Sequence, residues 1–270
     1  MLIDTHCHLD AAEFDADRTR VAQDARLAGV VQIVVPAVEL ANLAAVRDCC
    51  LRHPGCLPAY GIHPLYVGRA GDDDLAALRD WLLREMAGPL PPVAIGEIGL
   101  DHFTGDVDPQ RQAHFFGEQL KLARELGLPV LLHVRRAQDA VLGQLRRVFG
   151  KDGAAGHGGI AHAFNGSRQQ AEAFIALGFR LGFGGALTWP RARRIRALAA
   201  SLPLDALVLE TDAPDMPPSF AAGVRNVPAA LARIADELAA LRGITPQALR
   251  AATRANARAV LPRLAAFPAV

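Results

Sequence analysis

Six nitrogen and oxygen donors recur in short motifs along this 270-residue chain: His6 and His8 in DTHCHLD, Glu97 in GEIGLD, His133 in LLHVR, His162 in AHAFNG and Asp212 in LETDAP. A further histidine, His63, stands in GIHP. Imidazole and carboxylate donors without a thiolate suit Zn²⁺, Mn²⁺ or Mg²⁺ rather than a structural cysteine-bound zinc. The set is too large for one catalytic ion with an open position. Two divalent ions about 3.5–4 Å apart, bridged by a carboxylate and a water, use it economically. Glu97, with two oxygens, is the natural bridge. His6, His8 and Asp212 would then hold one ion, and His133 and His162 the other.

Those motifs need a scaffold that brings distant segments to one place. Short β-rich runs alternate with longer helical patterns. The strands are expected at Leu2–His6, Val30–Val35, Leu57–Ile62, Val93–Ile98, Val130–His133, Ile160–Ala163, Phe179–Phe183 and Ala206–Leu209. Several are continuous apolar runs, as in parallel strands buried on both faces. Helices are expected between them at Asp17–Ala28, Glu39–Arg52, Asp72–Glu85, Pro109–Leu126, Ala137–Phe149, Ser167–Leu177 and Arg191–Ala200, with a final pair at Pro228–Arg242 and Pro246–Val260. This alternation predicts an α/β fold, a (β/α)₈ TIM barrel filling residues 1–270 as one domain, with an open doubly wound sheet as the alternative. Every donor falls at the carboxyl end of a strand, the face where such barrels carry their active sites. Alternate strand residues point the same way, so His6 and His8 would enter the mouth together while Cys7 turns toward the helices.

The motifs IDTHCHLD, GIHP, IGEIGLD, LPVLLHVRRA, HAFNG and LETDAP, in this order and to about Ala257, resemble the TatD family of metal-dependent hydrolases and deoxyribonucleases. The stretch GGALTWPRARRIR followed by LETDAPDMP is most similar to the YjjV-type branch. The resemblance implies a barrel, a two-metal centre and hydrolysis of phosphodiesters, typically in DNA. The family's metal ligands match His6, His8, Glu97, His133, His162 and Asp212, all unsubstituted. One departure is Val227 in RNVP, where many members have Glu; this puts in doubt a polar contact of that loop, not the metal centre.

Under that reading Asp212 is both ligand and acceptor of the water's proton, and Glu97 bridges. His63 donates to a substrate phosphate or leaving oxygen, or else orders the chain before Pro64. Arg135 reaches the same mouth to clasp a phosphate, or makes a surface ion pair. Asn165 and Ser167 bind phosphate or serve a turn and a helix cap. Trp189, beside Arg191, Arg193 and Arg194, stacks a base or lies on a solvated helix face. Glu210 and Asp4 orient ligands or make buried structural hydrogen bonds. His53, His102, His114 and His157 are not expected to bind metal.

Composition narrows the rest. The net charge is +1 and apolar residues make up 51% of the chain. A packed core is expected, and a broad basic surface for duplex DNA or anionic lipid is not. No signal peptide or membrane span is visible. The cysteines, Cys7, Cys49, Cys50 and Cys56, cluster early without a disulfide pattern, so a reduced, cytoplasmic location is expected. A monomer is expected as well. The expected partner is DNA or another phosphodiester. The alternatives are a two-metal hydrolase of a small amide or aminoacyl ester, and a nucleic-acid-binding protein whose metals only stabilise the barrel.

Overall fold

The protein is described by a computed structural model covering residues 1–71 and 73–267. Eight parallel strands follow one another in chain order round a nearly closed barrel. They are β1 (Leu2–Asp4), β2 (Val30–Pro36), β3 (Cys56–Tyr60), β4 (Ala94–Asp101), β5 (Val130–Arg135), β6 (Gly159–Ala161), β7 (Phe179–Phe183) and β8 (Leu207–Leu209). A doubly wound sheet would reverse its strand order, and this sheet does not. Thr5 links the last strand to the first: its backbone N–H and its Oγ1 both donate to the Leu209 carbonyl, at 3.0 and 3.1 Å.

The helices are α1 (Arg18–Leu27), α2 (Leu43–Arg52), α3 (Asp74–Met86), α4 (Pro109–Leu126), α5 (Gln138–Phe149), α6 (Arg168–Ala176), α7 (Arg193–Ser201), α8 (Leu231–Arg242) and α9 (Pro246–Val260). The expected start of the third helix at Asp72, and residues 268–270 of the expected domain, lie outside the described residues. Helix α4 has sharp ends because its sequence punctuates them. Asp108 caps it by accepting from the Gln110 N–H at 2.9 Å, Pro109 fills the first turn, and Gly127 terminates it in the left-handed region at φ 65°.

Two apolar layers hold the barrel. Outside, side chains such as Phe14, Phe116, Phe149 and Phe174 fill the space between strands and helices. Inside, Ile3, Val34, Leu57, Leu131, Ile160 and Val208 pack with Val260, Leu261 and Leu264, so α9 and the turn after it plug the amino-terminal end. Among the described residues no helix is long and apolar enough to cross a membrane.

Three strands stop earlier than the sequence pattern implies: β1 ends at Asp4, β3 at Tyr60 and β6 at Ala161, while β8 ends at Leu209 as expected. His6, His8, His63, His162 and Asp212 therefore stand on loops beyond their strands. The chain leaves the extended conformation there for local reasons. The Asp4 carboxylate accepts from the His6 N–H at 3.2 Å, and Ala163 and Asp212 adopt left-handed φ values of 44° and 59°. The His6/His8 pair is therefore placed by a loop rather than by strand alternation. The helix after β7 begins at Arg193, two residues later than expected, behind a short 3₁₀ turn over Gly185–Thr188.

Candidate metal centre

The loops and strand ends converge on Glu97. Its Oε2 lies 3.1 Å from His6 Nε2 and 3.5 Å from His8 Nε2, and those two nitrogens are 3.3 Å apart. Asp212 Oδ1 stands 3.7 and 3.8 Å from the same nitrogens. The other oxygen, Oε1, faces His133 Nδ1 at 3.0 Å, His63 Nε2 at 3.6 Å and His162 Nε2 at 3.9 Å. Asp212 Oδ2 is 3.8 Å from His162 Nε2. Three donor groups result, each with ligand atoms within 4.8 Å of one another: His6, His8 and Glu97; His6, His162 and Asp212; and His63, Glu97 and His133. Buried imidazole and carboxylate donors converging this closely fit divalent cations. Glu97 presents one oxygen to each of two groups, as a bridge requires.

Local backbone features put Glu97 there. Ile95 pairs with Val130 but Ile98 pairs with Leu132, so β4 carries one extra residue across Gly96–Glu97. Gly99 is held against β5: a β-carbon there would come within 2.0 Å of the His133 carbonyl oxygen, so only glycine fits.

The charges balance one another. Burial works against the charged form of His8, but the Glu97, Asp212 and Asp10 carboxylates outweigh it and push the imidazole up to about 9. Burial likewise opposes protonation of His162, yet Asp212 and Glu210 raise it to about 10. His63 is pushed down to about 3, chiefly by burial. Glu97, although buried, is held well below the usual carboxylate range by the surrounding histidines. The cluster thus stores negative charge and collects cations, protons or metal ions alike.

A second ring of residues orients the donors. Asp101 Oδ2 is 3.0 Å from His133 Nε2, and its other oxygen accepts from the Phe103 N–H at 2.8 Å. Glu210 Oε1 lies 3.2 Å from His162 Nδ1 and also accepts from the Ala163 N–H, so it faces a ligand and ties down the backbone beside it. A β-carbon on Gly182 would stand 2.1 Å from Glu210 Oε2, so the missing side chain is what makes room for that carboxylate. Asp4 serves the other role foreseen for it. It accepts from the Thr211 N–H and Oγ1 at 3.0 and 2.6 Å, tying the end of β1 to the Asp212 loop.

Four supporting residues escaped sequence reasoning. Asp101 shares the GEIGLD motif with Glu97, and its place at the strand's carboxyl end was the available signal. Gln119 grips the residue before His63, accepting from the Ile62 N–H at 2.7 Å and donating to its carbonyl at 3.1 Å. Gln112, seven residues earlier on the same helix, grips Asp101 in the same way at 2.9 and 3.1 Å. Asn226 donates to the Thr211 and Asp215 carbonyls at 2.8 and 2.9 Å and so spans the Asp212 loop.

The remaining candidates are dispersed. Arg135 is exposed, with its guanidinium 4.0 Å from Asp101 Oδ2. Asn165 Oδ1 accepts from Arg194 at 2.6 Å, leaving its amide N–H groups for other contacts. Ser167 is a helix cap, its Oγ accepting from the Gln170 N–H at 3.2 Å. Trp189 is half-buried, its indole N–H donates to the Pro217 carbonyl at 3.1 Å, and the Arg191 guanidinium lies over its ring. His53, His102, His114 and His157 belong to none of the three donor groups, and His157 lines a cavity at the opposite end of the barrel. Val227 packs against the core as the chain turns toward α8. A cavity of about 50 Å³ lies beside Asp212, walled by Phe164, Phe183, Ile195 and Met216.

An eight-stranded parallel barrel with this donor cluster at its carboxyl mouth defines a metal-dependent hydrolase. A model of the family described as TatD related DNase matches residues 3–262. The chain is 42% identical to "Uncharacterized metal-dependent hydrolase YjjV" of Escherichia coli K12, over 89% of this chain and 90% of that protein. It is 36% identical to "3'-5' ssDNA/RNA exonuclease TatD" of Cronobacter sakazakii, over 95% and 96%. The crystal structure of the YjjV TatD homologue from Escherichia coli K12 superposes with a TM-score of 0.90 at 40% identity, covering 97% of this chain and 98% of that one. The protein belongs to the TatD family.

Proposed function

We propose that the protein hydrolyses phosphodiester bonds at the ends of DNA strands, using two divalent ions held across Glu97. The observation that carries this reading is Glu97 itself, whose two oxygens each face a separate set of histidine nitrogens. His6, His8 and Asp212 would hold one ion and His133 and His162 the other. In the donor groups His63 stands beside His133 and Glu97, and His162 beside His6 and Asp212, so His63 would join the second ion or meet the substrate. Zinc, manganese and magnesium all suit the donors. Such ions supply a Lewis acid for the phosphoryl oxygens and an acidified water.

The chain's own residues do the rest. Asp212 accepts or orients the proton of the attacking water, a role worth roughly 10²–10⁴-fold in rate. Its left-handed backbone, φ 59°, is a strained conformation that Asn226 and Asp4 hold in place. His63, driven toward its neutral form by burial, accepts from the Leu65 N–H through Nδ1 at 3.2 Å and so presents its Nε2 N–H at the mouth. Arg135 and the Asn165 amide bind phosphate oxygens. The mouth is ringed by loops, so a flexible strand reaches the floor where a rigid duplex interior does not. A net charge of +1 gives little general attraction, so binding rests on a few contacts; contacts to phosphate carry no sequence information, so sequence preference is weak. Support for a nucleic-acid substrate comes from the Cronobacter relative named as an exonuclease. The four buried, unpaired cysteines suit a reducing cytoplasm.

The test is a time course of the metal-loaded protein on end-labelled single strands, blunt duplex and covalently closed circles. Single strands should be shortened fastest, and chelator should stop the reaction. Faster cutting of closed circles contradicts the end-directed reading. Turnover of an aminoacyl ester with no DNA cleavage contradicts the phosphodiester reading.

A further inference from the structure

Beyond the metal donors, the carboxyl rim carries a cluster of which the roles above use only Arg135. The His102 N–H donates to the Arg135 carbonyl at 2.9 Å, extending the β4–β5 ladder by one step. This brings Phe103 alongside Arg135 and Arg136. The Arg135 Cζ lies 3.8 Å from the Phe103 ring centroid and the Arg136 Cζ 4.5 Å. Phe103 is 46% exposed, a large apolar side chain left in water at the edge of the site. Its loop is fixed, because Asp101 Oδ1 accepts from both the Phe103 and Thr104 N–H groups. Arg136 has a left-handed φ of 54°, a conformation uncommon for a side chain of this size. The cluster connects directly to the metal centre, since the same Asp101 carboxylate faces His133.

Other arginine-on-ring contacts occur on the carboxyl-side loops, and those at Tyr66 and Trp189 are engaged. Arg69, over Tyr66, reaches Glu39 at 3.9 Å. Trp189, beneath Arg191, is half-buried and gives its N–H to a carbonyl. Around Phe103, by contrast, two guanidiniums share one ring, and among the described residues the only carboxylate within ion-pair reach is Asp101, 4.0 Å from Arg135. A free arginine side chain loses substantial rotamer entropy when it binds an anion. A ring that already holds the guanidinium plane removes much of that cost and leaves the N–H edges open to phosphate.

We propose that Phe103, Arg135 and Arg136 form a phosphate clamp for the strand flanking the scissile bond, with Phe103 as the positioning residue for both guanidiniums. The inference rests on the nucleic-acid reading above and deepens it. The clamp takes the phosphodiester backbone of a single strand, reads no base, and makes longer oligonucleotides better substrates than a dinucleotide.

The experiment measures kcat/KM of the metal-loaded enzyme on a thymidine dinucleotide and hexanucleotide, and the salt dependence of KM for the longer one. The wild type should favour the hexanucleotide by about tenfold, the scale of one charge-assisted contact. Arg136→Gln should bring that ratio close to one through KM rather than kcat. It should also lower the slope of log KM against log salt by about 0.7, the contribution of one phosphate on a single strand. Phe103→Ala should act in the same direction and Phe103→Tyr should restore the ratio. Both substituted side chains are exposed, and a ratio between two substrates is insensitive to partial misfolding. A wild-type ratio and slope retained by Arg136→Gln and Phe103→Ala would overturn the clamp while leaving nuclease activity intact. If the wild type cuts a generic aryl phosphodiester but neither oligonucleotide, the nucleic-acid reading falls and the clamp with it.

Discussion

Asp212 combines two duties that a single substitution can separate. Asp212→Asn keeps an oxygen at the ligand position but cannot take a proton. Activity should therefore fall by about 10²–10⁴-fold while bound metal, measured by elemental analysis, falls far less. Loss of metal in step with loss of activity would assign Asp212 to ligation alone. Gly182 makes a second residue-scale test, because a β-carbon there would stand 2.1 Å from Glu210 Oε2. Gly182→Ala should displace that carboxylate from His162 and weaken metal affinity by roughly 10–100-fold, the usual effect of losing an orienting partner. An unchanged metal-binding isotherm would show that Glu210 does not orient His162. The metal-donor candidates could be read from residue type and motif position alone. Glycines that clear space, and a phenylalanine that steadies arginines, could not, because their effect depends on neighbours remote in sequence.

At the scale of elements, helix α4 positions two parts of the mouth at once. Gln112 and Gln119 sit seven residues apart on one helical face and hold the backbones of Asp101 and Ile62. Gln119→Ala would strand the Ile62 N–H and carbonyl in a buried site, at roughly 1–3 kcal/mol. Urea denaturation should show a lower midpoint with an unchanged slope. A midpoint equal to the wild type would contradict the clasp. The ends of α4 and α9 were legible because Asp108, Pro109, Gly127, Thr245 and Pro246 mark them locally. The buried glutamines were not, because a polar residue within a helical pattern reads as solvent-facing until its partner strand is known. Strand ends near His6, His63 and His162 were overextended for a related reason. Apolar patterning continues to the ligands, while local hydrogen bonds and left-handed residues break the ladder first.

For the molecule as a whole, the barrel has one closed end and one working end. Val260, Leu261 and Leu264 fill the amino-terminal mouth, and Gln32 anchors that plug by donating to the Leu264 carbonyl at 2.9 Å. Every candidate donor lies at the other end, so the fold brings residues as distant in sequence as His6 and Asp212 within 3.7 Å of each other. The strand-by-strand alternation made that architecture legible, together with motifs at successive strand ends. How the donors divide between ions was less so, because His63 meets Glu97 Oε1 from a loop and His133 from within β5, a convergence that spacing does not encode. The central claim is that Glu97 bridges two ions, and anomalous diffraction from crystals grown with manganese tests it most directly. Two adjacent peaks, one beside each Glu97 oxygen and both lost in Glu97→Ala, are the predicted result. A single peak at saturating metal, with His133 and His162 unligated, would contradict it.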